Sequence, residues 1–167
     1  FRTCADLASF DREDFSEVVR PALPFVDYLV LNEFEAERLT GLALGDGSAP
    51  NWNSMEKATH SILKMGVREW VVVHCPSGVV AGGKDGRVLR EGSVRIPKTE
   101  IVGTVGAGDA FAAGLLYGVH ESWDFERSLK LGICVAASCL FHVNTSGNIL
   151  PIPDCLQLVE NYGFLEV

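Results

Sequence analysis

A chain of 167 residues, 47% of them hydrophobic, is long enough for a single domain burying roughly 70% of the surface its unfolded form exposes, and too apolar to stay disordered. A formal net charge of -8 without a basic cluster excludes nucleic acid and anionic membrane surfaces as expected partners and leaves small-molecule chemistry. The five cysteines, Cys4, Cys75, Cys134, Cys139 and Cys155, are odd in number and lack a C-x-x-C pair, as in a protein of the reducing cytoplasm; His60, His74, His120 and His142 show no zinc-ligand spacing.

No signal peptide is visible, and no apolar run reaches the ~20 residues that span a bilayer. Arg2 to Ala8 holds a short strand-like run whose abrupt start suggests a chain cut at a sheet element. Asp11 is the expected cap of a first helix, with Asp14 at its third position, Phe15, Val18 and Val19 as its apolar face, and Pro21 and Pro24 ending it. Tyr28 to Leu31, bounded by Asp27 and Asn32, has the length and composition of a buried parallel strand. A small helix is expected from Asn32 to Gly41. Asn32 followed three residues later by Glu35 reads as a capping box, Leu39 faces inward, and Gly41 is placed to end the helix.

Leu42 to Asn53 reads as a surface loop, and a helix is expected from about Ser54 through Met65, with Ala58, Ile62 and Met65 on one face and Gly66 after it. Trp70 to His74 is the next buried strand. The Cys75 to Gly78 turn, the return over Val79 to Ala81 and the Lys84 to Gly86 turn describe short antiparallel strands added to a parallel sheet, with Val94 and Ile96 alternating beyond them. Asp124 caps a helix that is apolar nearly all round from Leu129 to Phe141, placing Cys134 and Cys139 in the core. Asn144 to Asn148 is a polar loop, and a last short helix is expected from Asp154. Alternating strands and helices make the class α/β, a mostly parallel sheet with helices on both faces.

The stretch from Ile101 to Leu116 carries the chemistry. An apolar run meets a tight glycine turn, Gly106-Ala107-Gly108, and a helix opens at or near Asp109. Three consecutive backbone N–H groups at the positive end of a helix can hold phosphate oxygens, and a carboxylate beside them suits the proton of an attacking hydroxyl better than it suits the phosphate. Gly103 and Gly108 have Walker A spacing, but Asp109 stands where that loop needs Lys; a dinucleotide fingerprint fails for lack of its third glycine. A plain N-cap is the alternative role for Asp109. The residues after it, Ala110, Ala112, Ala113, Gly114 and Gly118, are small enough for close approach to the sheet, with Phe111 and Leu115 filling the gap.

Thr104-Val105-Gly106-Ala107-Gly108-Asp109-Ala110-Phe111 resembles the C-terminal signature of the PfkB/ribokinase family of carbohydrate kinases, and Asn32-Glu33-Phe34-Glu35 resembles that family's Asn-x-x-Glu motif. The resemblance covers the whole chain but only the C-terminal half of the family's length. It implies a three-layer α/β/α ribokinase-like fold over residues 1–167, incomplete without its N-terminal half. It also implies transfer of the γ-phosphoryl group of ATP to a sugar or sugar-like hydroxyl, with a nucleoside as the alternative acceptor. Asp109 would be the base; Thr104, Gly106, Ala107, Gly108, Gly78 and Gly147 would bind the nucleotide; Asn32 and Glu35 would place Mg²⁺. That metal reading is compatible with the capping box, and Gly78 has the simpler role of a turn glycine as its alternative. Cys75-Pro76-Ser77 departs from the family where a glycine and small or basic residues are usual. Gly103 stands where the family usually has Asp, which puts a monovalent cation in doubt. A sugar-like small molecule and the N-terminal half of the same kinase are the expected partners, with a homodimer left open; a nucleotide-binding module or inactive fragment is the competing function.

Overall fold

In the computed structural model, which describes residues 1–7, 14–45, 49–143 and 149–167, the apolar runs of the first half become strands of one sheet. The strands are β1 (Cys4–Asp6), β2 (Tyr28–Asn32), β3 (Trp70–Cys75), β4 (Gly78–Gly83) and β5 (Val88–Gly92), side by side in chain order. β1, β2 and β3 run parallel, and β4 returns antiparallel against β3. Leu29, Leu31, Val71, Val73 and Val80 belong to one core with Leu39, Met55, Ala58 and Ile62. The alternate positions Val30, Val72, Val79 and Ala81 are buried too, so these strands are covered on both faces, as parallel strands require. Each such valine, leucine, isoleucine or methionine side chain contributes about 1.5–3 kcal/mol by leaving water.

The chain divides into two compact units, Phe1–Arg90 (with Val167) and Glu91–Glu166. In the first unit, α1 spans Phe15–Val19, α2 Glu33–Thr40 and α3 Trp52–Lys64. Asp14 is the N-cap of α1 rather than its third residue, and the expected cap Asp11 lies outside the described residues. Phe15 is buried, but Val18 is exposed and does not serve the apolar face. α1 ends at Val19, ahead of Pro21 and Pro24 as expected, and the chain continues as a 3-10 helix, Arg20–Phe25, where Pro21 sits in the first turn and its missing N–H loses nothing. α3 begins before Ser54, since the Asn51 side chain accepts the Ser54 N–H at 3.0 Å and so caps the helix from outside.

The second unit holds α4 (Ala107–His120), α5 (Phe125–Cys139) and α6 (Ile152–Tyr162). Gly114 of α4 lies against α5: a Cβ on it would stand 2.9 Å from Val135 and 3.0 Å from the Gly132 backbone. The Asp124 side chain accepts the Arg127 N–H at 2.9 Å and caps α5, which buries Cys134 and Cys139 but ends before Phe141. α6 begins at Ile152, ahead of Asp154, because prolines fit its first turn. Val94 and Ile96 are buried without forming a strand; Val94 makes a single bridge to Phe164. Among the described residues, no helix is long and apolar enough to cross a membrane.

Candidate active site

The glycine turn is held from both sides. Ahead of it, the Val102 and Gly103 amides both donate to the Leu140 carbonyl, at 2.7 and 3.3 Å. Gly103 is therefore not the loose point that its lack of a side chain suggests: a Cβ there would stand 2.8 Å from the His142 carbonyl oxygen. Behind it, the Thr104 carbonyl accepts the Ala107 N–H at 3.2 Å, and the Gly106 carbonyl accepts the Ala110 N–H at 2.9 Å. Gly106 is the N-cap of α4 at φ +84°, a left-handed conformation that glycine adopts without the steric cost of a Cβ.

Consequently α4 opens at Ala107, ahead of Asp109, and Asp109 lies exposed in the first turn. This removes its alternative role as an N-cap, because the cap is a glycine and no side chain caps the helix. The expected trio of amides at 106, 107 and 108 changes as well. Ala107 donates within the turn, whereas the Gly106, Gly108 and Asp109 amides meet no backbone acceptor among the described residues. Such amides at the positive end of a helix favour an anion.

In the first unit, Asn32 ends β2 and begins α2, and the capping box is complete. Asn32 Oδ1 accepts the Glu35 N–H at 3.0 Å, and Glu35 Oε2 accepts the Asn32 N–H at 2.8 Å. Glu35 is only 2% exposed, and its charge sits favourably at the helix's positive end. Burial, reinforced by Glu37 and Glu35, pushes the Glu33 carboxyl up. Across the sheet, Asn32 is in register with His74, whose burial takes it down to about 4. Gly78 is buried at the exit of the Pro76-Ser77 turn, in register with Cys75. Burial raises the Cys75 thiol, partly offset by the Ser77 and Gly78 N–H groups directed at its sulfur. Gly147 and the Asn144 to Asn148 loop lie outside the described residues.

Thr104, Gly106, Ala107, Gly108 and Asp109 are thus gathered in one turn, Asn32 and Glu35 in a second, and Gly78 stands at a hairpin. Sequence reading passed over the Leu140 carbonyl that anchors the turn, and His74, whose alignment with Asn32 depends on strand register. For Mg²⁺, Asn32 and Glu35 offer oxygen donors alone, as a hard cation prefers. Among the described residues, no group of three or more His, Cys, Asp or Glu is arranged to hold a metal. Few protein ligands fit an ion that keeps several waters and leans on substrate phosphates.

The sequence pattern of the pfkB family carbohydrate kinases matches residues 4–153, and the chain belongs to that family. It is 30% identical over 151 residues to an adenosine kinase of Schizosaccharomyces pombe, which covers 87% of this chain and 42% of that one. It is 28% identical over 153 residues to an ATP-dependent 6-phosphofructokinase of Thermoanaerobacterium thermosaccharolyticum, covering 89% of this chain and 41% of that one. The chain therefore spans about two-fifths of the length of these curated relatives. The fold matches that of Arabidopsis thaliana ribokinase, solved with ribose and ATP, at a TM-score of 0.74 and 24% identity over 95% of this chain and 47% of that one. The fold is ribokinase-like, a mixed sheet with helices.

Proposed function

We propose that this chain is the nucleotide-binding and catalytic part of a kinase that transfers the γ-phosphoryl group of ATP to a hydroxyl of a sugar or nucleoside. The observation that carries this reading is the open start of α4: a left-handed Gly106, amides of Gly106, Gly108 and Asp109 that meet no backbone acceptor among the described residues, and an exposed carboxylate in the first turn. The amides offer charge stabilisation to the phosphate oxygens, and Thr104 and Ala107 hold the turn in shape. Asp109 accepts the acceptor hydroxyl's proton as that oxygen bonds to the γ-phosphorus and the bond to the ADP oxygen breaks. Gly78 and Gly147 are assigned to the nucleotide's surroundings. Asn32 and Glu35 would hold Mg²⁺ through its waters, and the ion when bound supplies positive charge against the phosphates.

Asp109→Asn keeps the shape of the turn and removes the base. In the native full-length polypeptide it is expected to lower turnover by roughly 10²- to 10⁴-fold while leaving ATP affinity little changed. Unchanged turnover would remove Asp109 from the role of base. A second reading, a nucleotide-binding module that does not turn over on its own, is favoured by the chain's 42% share of its relative's length. ATP binding by this chain alone, without phosphorylation of ribose or adenosine, is the result that reading expects.

A further inference from the structure

We propose that Gly132, in the middle of α5, is a positioning residue for the phosphate turn of α4; the proposal rests on the reading of that turn as the anion site. A Cβ on Gly132 would stand 2.8 Å from the Phe111 carbonyl oxygen and 3.1 Å from two atoms of its ring. Phe111 is itself 4% exposed and belongs to the same turn of α4 as Asp109. A ring can rotate away from a methyl group. A helical carbonyl cannot, because its place is set by the helix backbone, so a side chain at position 132 would displace α4's first turns relative to α5.

That shift would matter because the turn has two attachments to α5. On one side, Val102 and Gly103 are hydrogen-bonded to Leu140, just past the C-terminal end of α5. On the other, α4 begins immediately after Gly106 and rests on α5 through Phe111 and Gly132. Gly132 sets the separation of these two attachments, and with it the direction of the Gly108 and Asp109 amides. A misplacement of about 1 Å at a reacting group costs on the order of 10²-fold in rate.

The same helix pair contains its own control. Near the far end of α4, a Cβ on Gly118 would stand 2.8 Å from the Ser128 Cα and 2.6 Å from its Oγ. This approach is as close as that at Gly132 but is remote from Asp109, so a methyl there disturbs packing and leaves the first turn in place.

The test compares Gly132→Ala with Gly118→Ala in the native full-length polypeptide, reading melting temperature, ATP affinity and the kcat–KM split for the phosphate acceptor. Both variants are expected to melt earlier. Only Gly132→Ala is expected to lose kcat, by about 10- to 100-fold, with KM for the acceptor little changed. Unchanged kcat in Gly132→Ala, or an equal loss in Gly118→Ala, would overturn the assignment. If Gly132→Ala does not fold, Phe111→Leu serves in its place: it removes the ring contacts and keeps the carbonyl approach, so kcat should stay within about threefold of native, and a tenfold loss would overturn the backbone mechanism. Asp109→Asn separates the two levels. Full turnover in that variant refutes the site itself, whereas loss there combined with native kcat in Gly132→Ala refutes only the positioning role.

Discussion

Two helices of this chain begin in opposite ways. α2 is closed by its own side chains: Asn32 and Glu35 each satisfy the other's backbone amide, and Glu35 is buried in doing so. α4 begins on a left-handed glycine with no side-chain cap, and its acidic residue remains exposed. α3 and α5 are closed like α2, by Asn51 and Asp124. α6, behind Pro151, also lacks a side-chain cap, so an uncapped start alone does not mark a site. What separates α4 is the combination: a turn anchored at Leu140, glycines that expose the amides, and a carboxylate beside them. A closed start lends stability to its own helix, and an open one leaves its positive end available to something else.

The largest expected effect on stability falls beside the closed helix. His74, in register with Asn32, drops from its usual 6.5 to about 4 because burial disfavours the imidazolium. The unfolded chain therefore binds more protons between those values. Stability is fully present above the unfolded value and is lost as pH falls toward the folded one, by roughly 3 kcal/mol at the acid end. Urea midpoints measured between about pH 7 and pH 4.5 should show this slope, and His74→Gln should flatten it. A native profile already flat across the window would contradict the lowered affinity of this half-buried imidazole for a proton.

Gly106→Val attacks the open start. A β-branched residue at φ +84° costs about 1–2 kcal/mol of folding stability, and its bulk also covers the amides. ATP affinity measured by calorimetry should fall at least tenfold, roughly 1.4 kcal/mol. Retained affinity would mean that the nucleotide does not use this turn.

A smaller effect dissects the closed start. Asn32→Ala removes the cap and should cost about 1 kcal/mol in chemical denaturation. Glu35→Gln keeps an oxygen for the Asn32 amide but loses the charge, so stability should change less than in Asn32→Ala while the Mg²⁺ concentration required for turnover rises. If Glu35→Gln behaves as the native protein does toward Mg²⁺, α2 is closed for structural reasons alone.

The smallest effect is expected at Gly103. This residue brings no carboxylate to a monovalent cation, and a Cβ there would press on the His142 carbonyl oxygen. Replacing K⁺ by a bulky organic cation at fixed ionic strength should change turnover little; strong K⁺ activation would refute this.

The strands are the legible part of the chain. Tyr28–Leu31 and Trp70–His74 are short apolar runs between polar residues, and such runs have few alternatives in an α/β fold. Asp109 and its glycines are legible because their types and spacing form a recognisable motif. Helix starts are less so. α3, α4 and α6 each begin ahead of Ser54, Asp109 and Asp154, since Asn51, Gly106 and Pro151 cap from outside the expected span. Whether a polar residue caps or lies in the first turn depends on backbone angles that composition leaves open. The partner of α4's glycines is hidden for a similar reason: glycine signals close approach but not to what, and here Gly114 and Gly118 meet Gly132, Val135 and Ser128 of α5.

Backbone amide NMR of the native full-length polypeptide titrated with ATP in the absence of Mg²⁺ tests the contrast between the two helix starts most directly. The Gly106, Gly108 and Asp109 resonances should shift together and saturate, while those of Asn32 and Glu35, held by the capping box, stay in place. Saturable ATP binding that leaves the Gly106 to Asp109 amides unmoved would contradict the assignment of α4's open end to the phosphates.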